Sequence, residues 1–350
     1  MNAVISQRIK DLRETLPGIL LEKHFSKKPE LKMKYGEEQV KLYLEDTRFH
    51  LSYLAESIYV DEPALFNEYI VWLKTFFVNL PITEEEIVDN LDILSDTIAQ
   101  YLPAEMSVVT TKFIKEGIEK YKSEPGVPDS FLVCANPLKD NAEAYLKKLI
   151  DGDKQEAYKI IMDLVNSGVS IKDIYLNLFQ ATQKETGRLW QIRKISVAQE
   201  HFITAATQMI MSQLYPYIFN GTRKNKSIIV SCINGELHEL APRMIADLFE
   251  MEGWNSFYYG ANTPQSSLIK EIEAHKPDIL AVSATMTFNL ESVDDLIKKI
   301  RSYADLKDLK IIVGGYPFNL AKNLWKKMGA DGYAEDALSA IKLADKLIGG

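Results

Sequence analysis

The chain has 350 residues, 46% hydrophobic and 26% charged, enough for two or three domains with ordinary water-soluble cores. No apolar run approaches the roughly 20 residues that span a bilayer, and the charged N-terminus MNAVISQRIKDLRETLPG lacks a signal-peptide core, so a cytoplasmic protein without a membrane partner is expected. The net charge of −8 argues against general nucleic-acid binding, and the two cysteines, Cys134 and Cys232, lie too far apart in sequence to suggest a zinc-thiolate site.

Residues 1–122 read as helices throughout. In EEQVKLYLEDTRFHLSYLAESIYV, apolar residues from Val40 to Leu54 recur at mixed three- and four-residue spacings, which predicts a partly buried helix. The next helix begins with Asp61 as N-cap and Pro63 in its first turn, and ends before Pro81. Thr83 and Glu86 have capping-box spacing ahead of a helix that stops before Pro103, and a last helix covers 104–122. Residues 123–137, with three prolines and Gly126, form a linker. A second helical block, 138–222, has stops at Gly152 and Gly168 and N-caps at Ser170 and Ser196, which predicts a four-helix bundle.

From 226 to 350 the rhythm changes. SIIVSCI, NSFYYG, DILAVSA, KIIVGG and DGYA alternate with helical stretches, so an α/β domain with a doubly wound, five-stranded parallel sheet follows the all-helical regions. Ligands of such sheets sit beyond the carboxyl ends of the strands. Those ends are Glu236–His238, Gly260–Asn262, Ser283–Thr285, Gly314–Tyr316 and Ala334–Asp336. Singly they are ordinary: a loop histidine is usually structural, a strand-end serine caps a helix, and paired glycines permit a tight turn. Together they suit one ligand. His238 can reach a metal, Glu236 can accept its other ring N–H, the Ser283 hydroxyl can bond a buried heteroatom, and Gly314-Gly315 can admit a flat group.

The set Glu236-x-His238-x-x-Ala241, Ser283-x-Thr285 and Gly314-Gly315 resembles the signature of cobalamin-binding proteins, with Ala241 where glycine is usual. The resemblance covers about 138–350. It implies that the cofactor's dimethylbenzimidazole tail leaves cobalt and inserts into the domain. His238 would be the lower cobalt ligand, Ser283 would contact the buried base, and Gly314 and Gly315 would flank the nucleotide loop. The 138–222 bundle would cover the upper face.

Trp190 is followed, after nine residues, by Glu200-His201. On spacing alone this is a core tryptophan and a surface pair. Beside the cobalamin signature it resembles the Trp-x9-Glu-His motif of cobalamin-dependent photoreceptors. That implies adenosylcobalamin, with Trp190 packed on the adenosyl group and Glu200 and His201 bonding or shielding it. Gln191 stands where DNA-binding members have a histidine. Residues 1–122 lack the short helices and β-wing of a winged helix-turn-helix, so no direct DNA binding is expected. Instead, EDTRFHLSYLAESIYVDEPALFNEYIVWLKTFF resembles the helical region of the photocobilins, which also carry a bilin. Biliverdin would then bind non-covalently, since 1–122 contain no cysteine, with Asp46, Arg48, His50 and Tyr53 as candidate partners.

These resemblances imply a light sensor and not an enzyme. Photolysis of the cobalt–carbon bond would drive a conformational or oligomeric change, passed on by homo-oligomerisation or to a partner protein. The alternative is the corrinoid-binding component of a methyltransferase system. It shares His238, Ser283 and Gly314-Gly315 and has no need of Trp190 or Glu200-His201.

Overall fold

The structure, a computed structural model, describes residues 1–80, 82–219 and 222–349; Pro81, expected to end a helix, and Gly350 lie outside them. Among the described residues, seven helices occupy the first 123 positions: α1 Asn2–Leu12, α2 Leu16–Lys27, α3 Pro29–Lys34, α4 Glu37–Tyr59, α5 Pro63–Phe77, α6 Glu84–Tyr101 and α7 Ala104–Ser123. The capping box at α6 is formed by Thr83 and Glu86 as the spacing predicts. The start of α5 differs. Its N-cap is Glu62, and Asp61 takes a left-handed φ of 57° in the preceding turn. Pro63 at the first helical position sets this entry, because it has no N–H to be capped. Leu51, Leu54 and Ile58 of α4 share a core with Phe66, Ile70 and Leu73 of α5 and Ile114 and Ile118 of α7.

Residues 1–126 form one compact unit together with 285–295 and 316–328. Within it Phe288 lies against Phe49 and Tyr53, with ring centroids 6.1 and 5.6 Å away. The backbone N–H of Glu291 donates to the buried Glu56 carboxylate at 3.0 Å, and Lys10 pairs with Glu56 at 2.6 Å.

The second unit holds 127–284, 296–315 and the chain from 329 onward. Its helical part comprises α8 Lys139–Ile150, α9 Lys154–Asn166, α10 Ile171–Asp173, α11 Gln180–Gln191, α12 Val197–Ser212 and α13 Tyr215–Ile218. Ser170 and Ser196 cap their helices, and Gly152 and Gly168 hold φ of 81° and 90° at the ends of α8 and α9. Ile174–Phe179, between α10 and α11, is π-helical. Apolar periodicity did not foretell it.

The strands are β1 Ser227–Cys232, β2 Asn255–Tyr258, β3 Ile279–Ser283, β4 Lys310–Gly314 and β5 Gly332–Ala334. Helices α14 Leu240–Met251, α15 Gln265–His275, α16 Leu290–Ser302, α17 Tyr316–Leu320, α18 Leu324–Met328 and α19 Ala337–Ile348 alternate with them. The strands are parallel in the order β2-β1-β3-β4-β5, so the expected class, helical regions followed by a doubly wound sheet, is the one observed. Ile228, Val230, Ile279 and Ile312 share one core cluster with the bundle, including Tyr145, Ile161, Tyr175 and Ile210. The direction of winding reverses between β1 and β3, and there the crevice of such a sheet opens. Among the described residues no helix is long and apolar enough to cross a membrane.

Candidate functional site

Register brings the expected strand ends into one row. Cys232 of β1 pairs with Ser283 of β3, Ser283 with Gly314 of β4, and Gly314 with Ala334 of β5. Alternation along each strand places Ser283 on the same face as Ala281 and Ile279, the face that joins the bundle core.

The loop after β1 is built around Glu236. Its side chain is fully buried, and one oxygen, Oε1, lies 3.0 Å from the Leu237 N–H, 3.1 Å from the His238 N–H and 2.5 Å from His238 Nδ1. Its carbonyl accepts from the Asn262 N–H at 2.9 Å, while the Asn262 side chain accepts from the Gly235 N–H at 2.8 Å. Gly235 at φ 86° and Asn262 at φ 50° supply the left-handed turns that let the two loops meet. The buried carboxylate therefore fixes both the loop and the imidazole.

His238 holds its Nδ1 to Glu236, and its side chain is 58% exposed, so Nε2 is the nitrogen left for a ligand. The hydrogen bond to Glu236 raises its pKa above 6.5 against the opposing effect of burial, and the charges of Glu236 and Glu200 add to the rise. Nearby Cys232 is no competitor for a metal, because burial pushes its thiol up to about 12.

Gly314 and Gly315 differ in role. A Cβ on Gly315, at φ 108°, would stand 2.0 Å from the Ala284 carbonyl oxygen, whereas one on Gly314 would meet the Ala334 oxygen at 3.2 Å. Gly315 is thus demanded by the fold itself, through the close approach of two backbones.

In the bundle, Trp190 of α11 is half-buried and packs on the apolar core. Glu200 and His201 of α12 pair with each other at 2.5 Å, and Thr204 donates to Glu200 at 3.1 Å. Thr285 belongs to the other compact unit, half-buried ahead of the Thr287–Asn289 turn.

Of the four residues suggested for a bilin, His50 and Tyr53 meet at Tyr69, whose hydroxyl also feels the Asp46 charge. Arg48 pairs with Glu14 at 3.1 Å, and Asp46 is half-buried. His50 Nδ1 and the Tyr69 hydroxyl are hydrogen-bonded at 2.6 Å in the core, and Tyr53 stacks on Tyr69 at 3.9 Å. A cavity of about 430 Å³ in this unit is lined by Lys10, Arg13, Phe49, Ser52, Glu56 and Phe288 among others, and by none of the four.

Sequence reasoning placed Asn262 at a strand end without seeing that it holds the histidine loop, and passed over Glu239, which does so too. An Asn shortly after a strand end, following Gly260-Ala261, was the available signal for a left-handed turn. Glu239 gave none, since glutamate at a helix start is commonplace.

No group of three or more His, Cys, Asp and Glu among the described residues is placed to hold a metal ion. One outward imidazole suits a metal whose other positions are filled by the group that carries it. The comparisons agree with that chemistry. The B12 binding domain family matches residues 226–342, and a second B12 binding domain family matches 142–215. The chain carries B12-binding domains. A corrinoid protein of Desulfitobacterium hafniense is 22% identical over 57% of this chain and 94% of its own length. A trimethylamine corrinoid protein of Methanosarcina acetivorans is 23% identical over 55% of this chain and 90% of its own. The fold of residues in the B12-binding region is like that of the monomethylamine corrinoid protein of Methanosarcina barkeri, with a TM-score of 0.54 and 19% identity over 60% of this chain and 100% of that one.

These relatives correct the expectation of a non-enzymatic photoreceptor. They are corrinoid proteins, two of them named for methylamines, and cobalamin binding is what they support. The light-sensing reading hung on Trp190, Glu200 and His201. Trp190 touches the core and Glu200 pairs with His201, contacts that do not by themselves call for an adenosyl group.

Proposed function

We propose that the B12-binding region holds cobalamin and that the chain is the corrinoid-binding component of a methyl-transfer system. The observation that carries this reading is the Glu236–His238 pair, a buried carboxylate that grips Nδ1 and leaves Nε2 for a metal at the mouth of the β1/β3 crevice. The sequence relatives, corrinoid proteins and among them a trimethylamine corrinoid protein, support the methyl-transfer part.

When bound, the corrin supplies a cobalt centre that accepts a methyl group and gives it up again. The chain's own residues do the holding. His238 would hold the cobalt through Nε2, and Glu236 keeps the ring proton at Nδ1. Ser283 would contact the cofactor's base, and Gly314 and Gly315 would border its nucleotide. A methyltransferase subunit is the partner.

The test is to mix the purified protein with hydroxocobalamin, desalt it, reduce it with titanium(III) citrate and offer methyl iodide. One cobalamin per chain should be retained and then alkylated. A colourless protein after desalting would overturn cobalamin binding. Retention without alkylation would overturn methyl transfer.

A further inference from the structure

Glu239, beside the proposed cobalt ligand, collects donors from three parts of the fold. Its Oε1 accepts from Gln208 Nε2 of α12 at 3.0 Å. Its Oε2 accepts from the Ala261 N–H at 3.2 Å and lies 3.4 Å from the Tyr258 hydroxyl. The same hydroxyl donates to the Glu239 carbonyl at 2.9 Å, and that carbonyl also accepts from the Arg243 N–H at 3.0 Å. Tyr258 ends β2, Ala261 lies in the loop after it, and Arg243 is in the first turn of α14. One residue thus ties the bundle, the β2 edge and the start of α14 to the histidine loop.

Helix geometry extends the tie. Glu200, Thr204 and Gln208 are four residues apart and so lie along one face of α12. Thr204 Oγ1 is 3.1 Å from Glu200 Oε1 and 3.2 Å from Gln183 Oε1 of α11. A polar seam therefore runs down α12 from Glu200-His201 to Glu239. The turn after β2 leaves room for the carboxylate: a Cβ on Gly260, at φ 73°, would come within 3.4 Å of Glu239 Oε2. The Glu239 N–H also bonds the Leu237 carbonyl at 2.9 Å, which closes a tight turn around His238. The backbone around His238 cannot shift without loosening one of these bonds, while the ring itself is held by Glu236.

We propose that Glu239 is a positioning residue, which sets His238 for cobalt by clamping its loop to α12 and to the β2 edge. The proposal rests on the cobalamin reading above.

The test is electron paramagnetic resonance of bound cob(II)alamin in protein labelled with ¹⁵N-histidine. The axial nitrogen then reports whether histidine or the cofactor's own base is the ligand. Wild type should give a uniform histidyl signal. Glu239→Ala should stay folded by circular dichroism, bind about 10-fold more weakly, and show a mixture of histidyl and non-histidyl signals. Gln208→Ala should show the same mixture to a lesser degree. Glu239→Gln keeps an acceptor for the Ala261 N–H and should recover most of the histidyl signal. A uniform histidyl signal with wild-type affinity in Glu239→Ala would overturn the proposal. If that variant does not fold, the same result in Gln208→Ala would overturn it. Wild-type protein that binds cobalamin without a histidyl nitrogen would instead bring down the ligand assignment, and this proposal with it.

Discussion

Gly315 and Ala284 approach so closely that no side chain fits between them. A Cβ on Gly315 would stand 2.0 Å from the Ala284 carbonyl oxygen, and Gly315 holds a left-handed φ of 108°. Gly315→Ala combines backbone strain with a clash that only main-chain movement relieves, so it should cost more than about 2 kcal/mol. Gly314→Ala, with its nearest contact at 3.2 Å, should cost less. Urea midpoints of the two variants check the order. Equal midpoints would mean that the two loops separate freely.

The π-helical turn makes a second prediction. Tyr175 is fully buried there, and its hydroxyl donates at 2.9 Å to Asp247 of α14, which is itself buried. Tyr175→Phe leaves the carboxyl short of a donor and should destabilise the protein by about 1–3 kcal/mol. Denaturant unfolding at neutral pH measures this.

His50 gives a pH dependence. Burial holds its pKa down, at about 4 against the ordinary 6.5. The unfolded chain therefore binds the proton more readily than the folded one between those values. Stability from this group is complete above pH 6.5 and is lost as pH falls towards 4, by about 3 kcal/mol in all. Nitrogen NMR should find the His50 ring neutral at pH 5.5. In a His50→Gln variant, stability should vary less with pH over the same window. A His50 ring that titrates near 6.5 would contradict the burial argument.

Glu236→Gln tests the grip on the ring. The amide oxygen still accepts a hydrogen bond but carries no charge, so the His238 pKa, raised chiefly by the Glu236 hydrogen bond, should fall. Histidine NMR of the cofactor-free protein reads that shift. Cobalamin affinity should drop about 10- to 100-fold, the usual cost of losing a partner that orients a metal ligand. Equilibrium dialysis reads this second effect.

Much of this architecture was legible in the sequence because local rules and the fold agree. Strand-like runs alternating with helices left a parallel sheet as the simplest reading, and Thr83, Ser170 and Ser196 cap where they should. The strand ends that matter fall in one row because parallel register aligns Cys232, Ser283 and Gly314. What was not legible depends on contacts distant in sequence. Nothing local says that 285–295 packs with the N-terminal helices, where Glu56 accepts from the Glu291 N–H. Nothing local marks Glu239 as a hub either, since its partners lie on α12, at the end of β2 and in the loop beyond it. The light-sensing reading rested on a motif that spacing alone does not establish. Trp190 ends α11 against the core and Glu200-His201 begin α12 paired with each other, an arrangement that does not by itself mark an adenosyl site.

The most direct test of the central claim is the axial nitrogen of cobalt. Wild-type protein and His238→Ala are each labelled with ¹⁵N-histidine, loaded with cob(II)alamin and examined by electron paramagnetic resonance. The wild type should show the splitting of a single ¹⁵N nucleus, and His238→Ala should lose it. A wild-type spectrum unchanged by the label, or a labelled nitrogen that survives in His238→Ala, would contradict the assignment of His238 as the cobalt ligand.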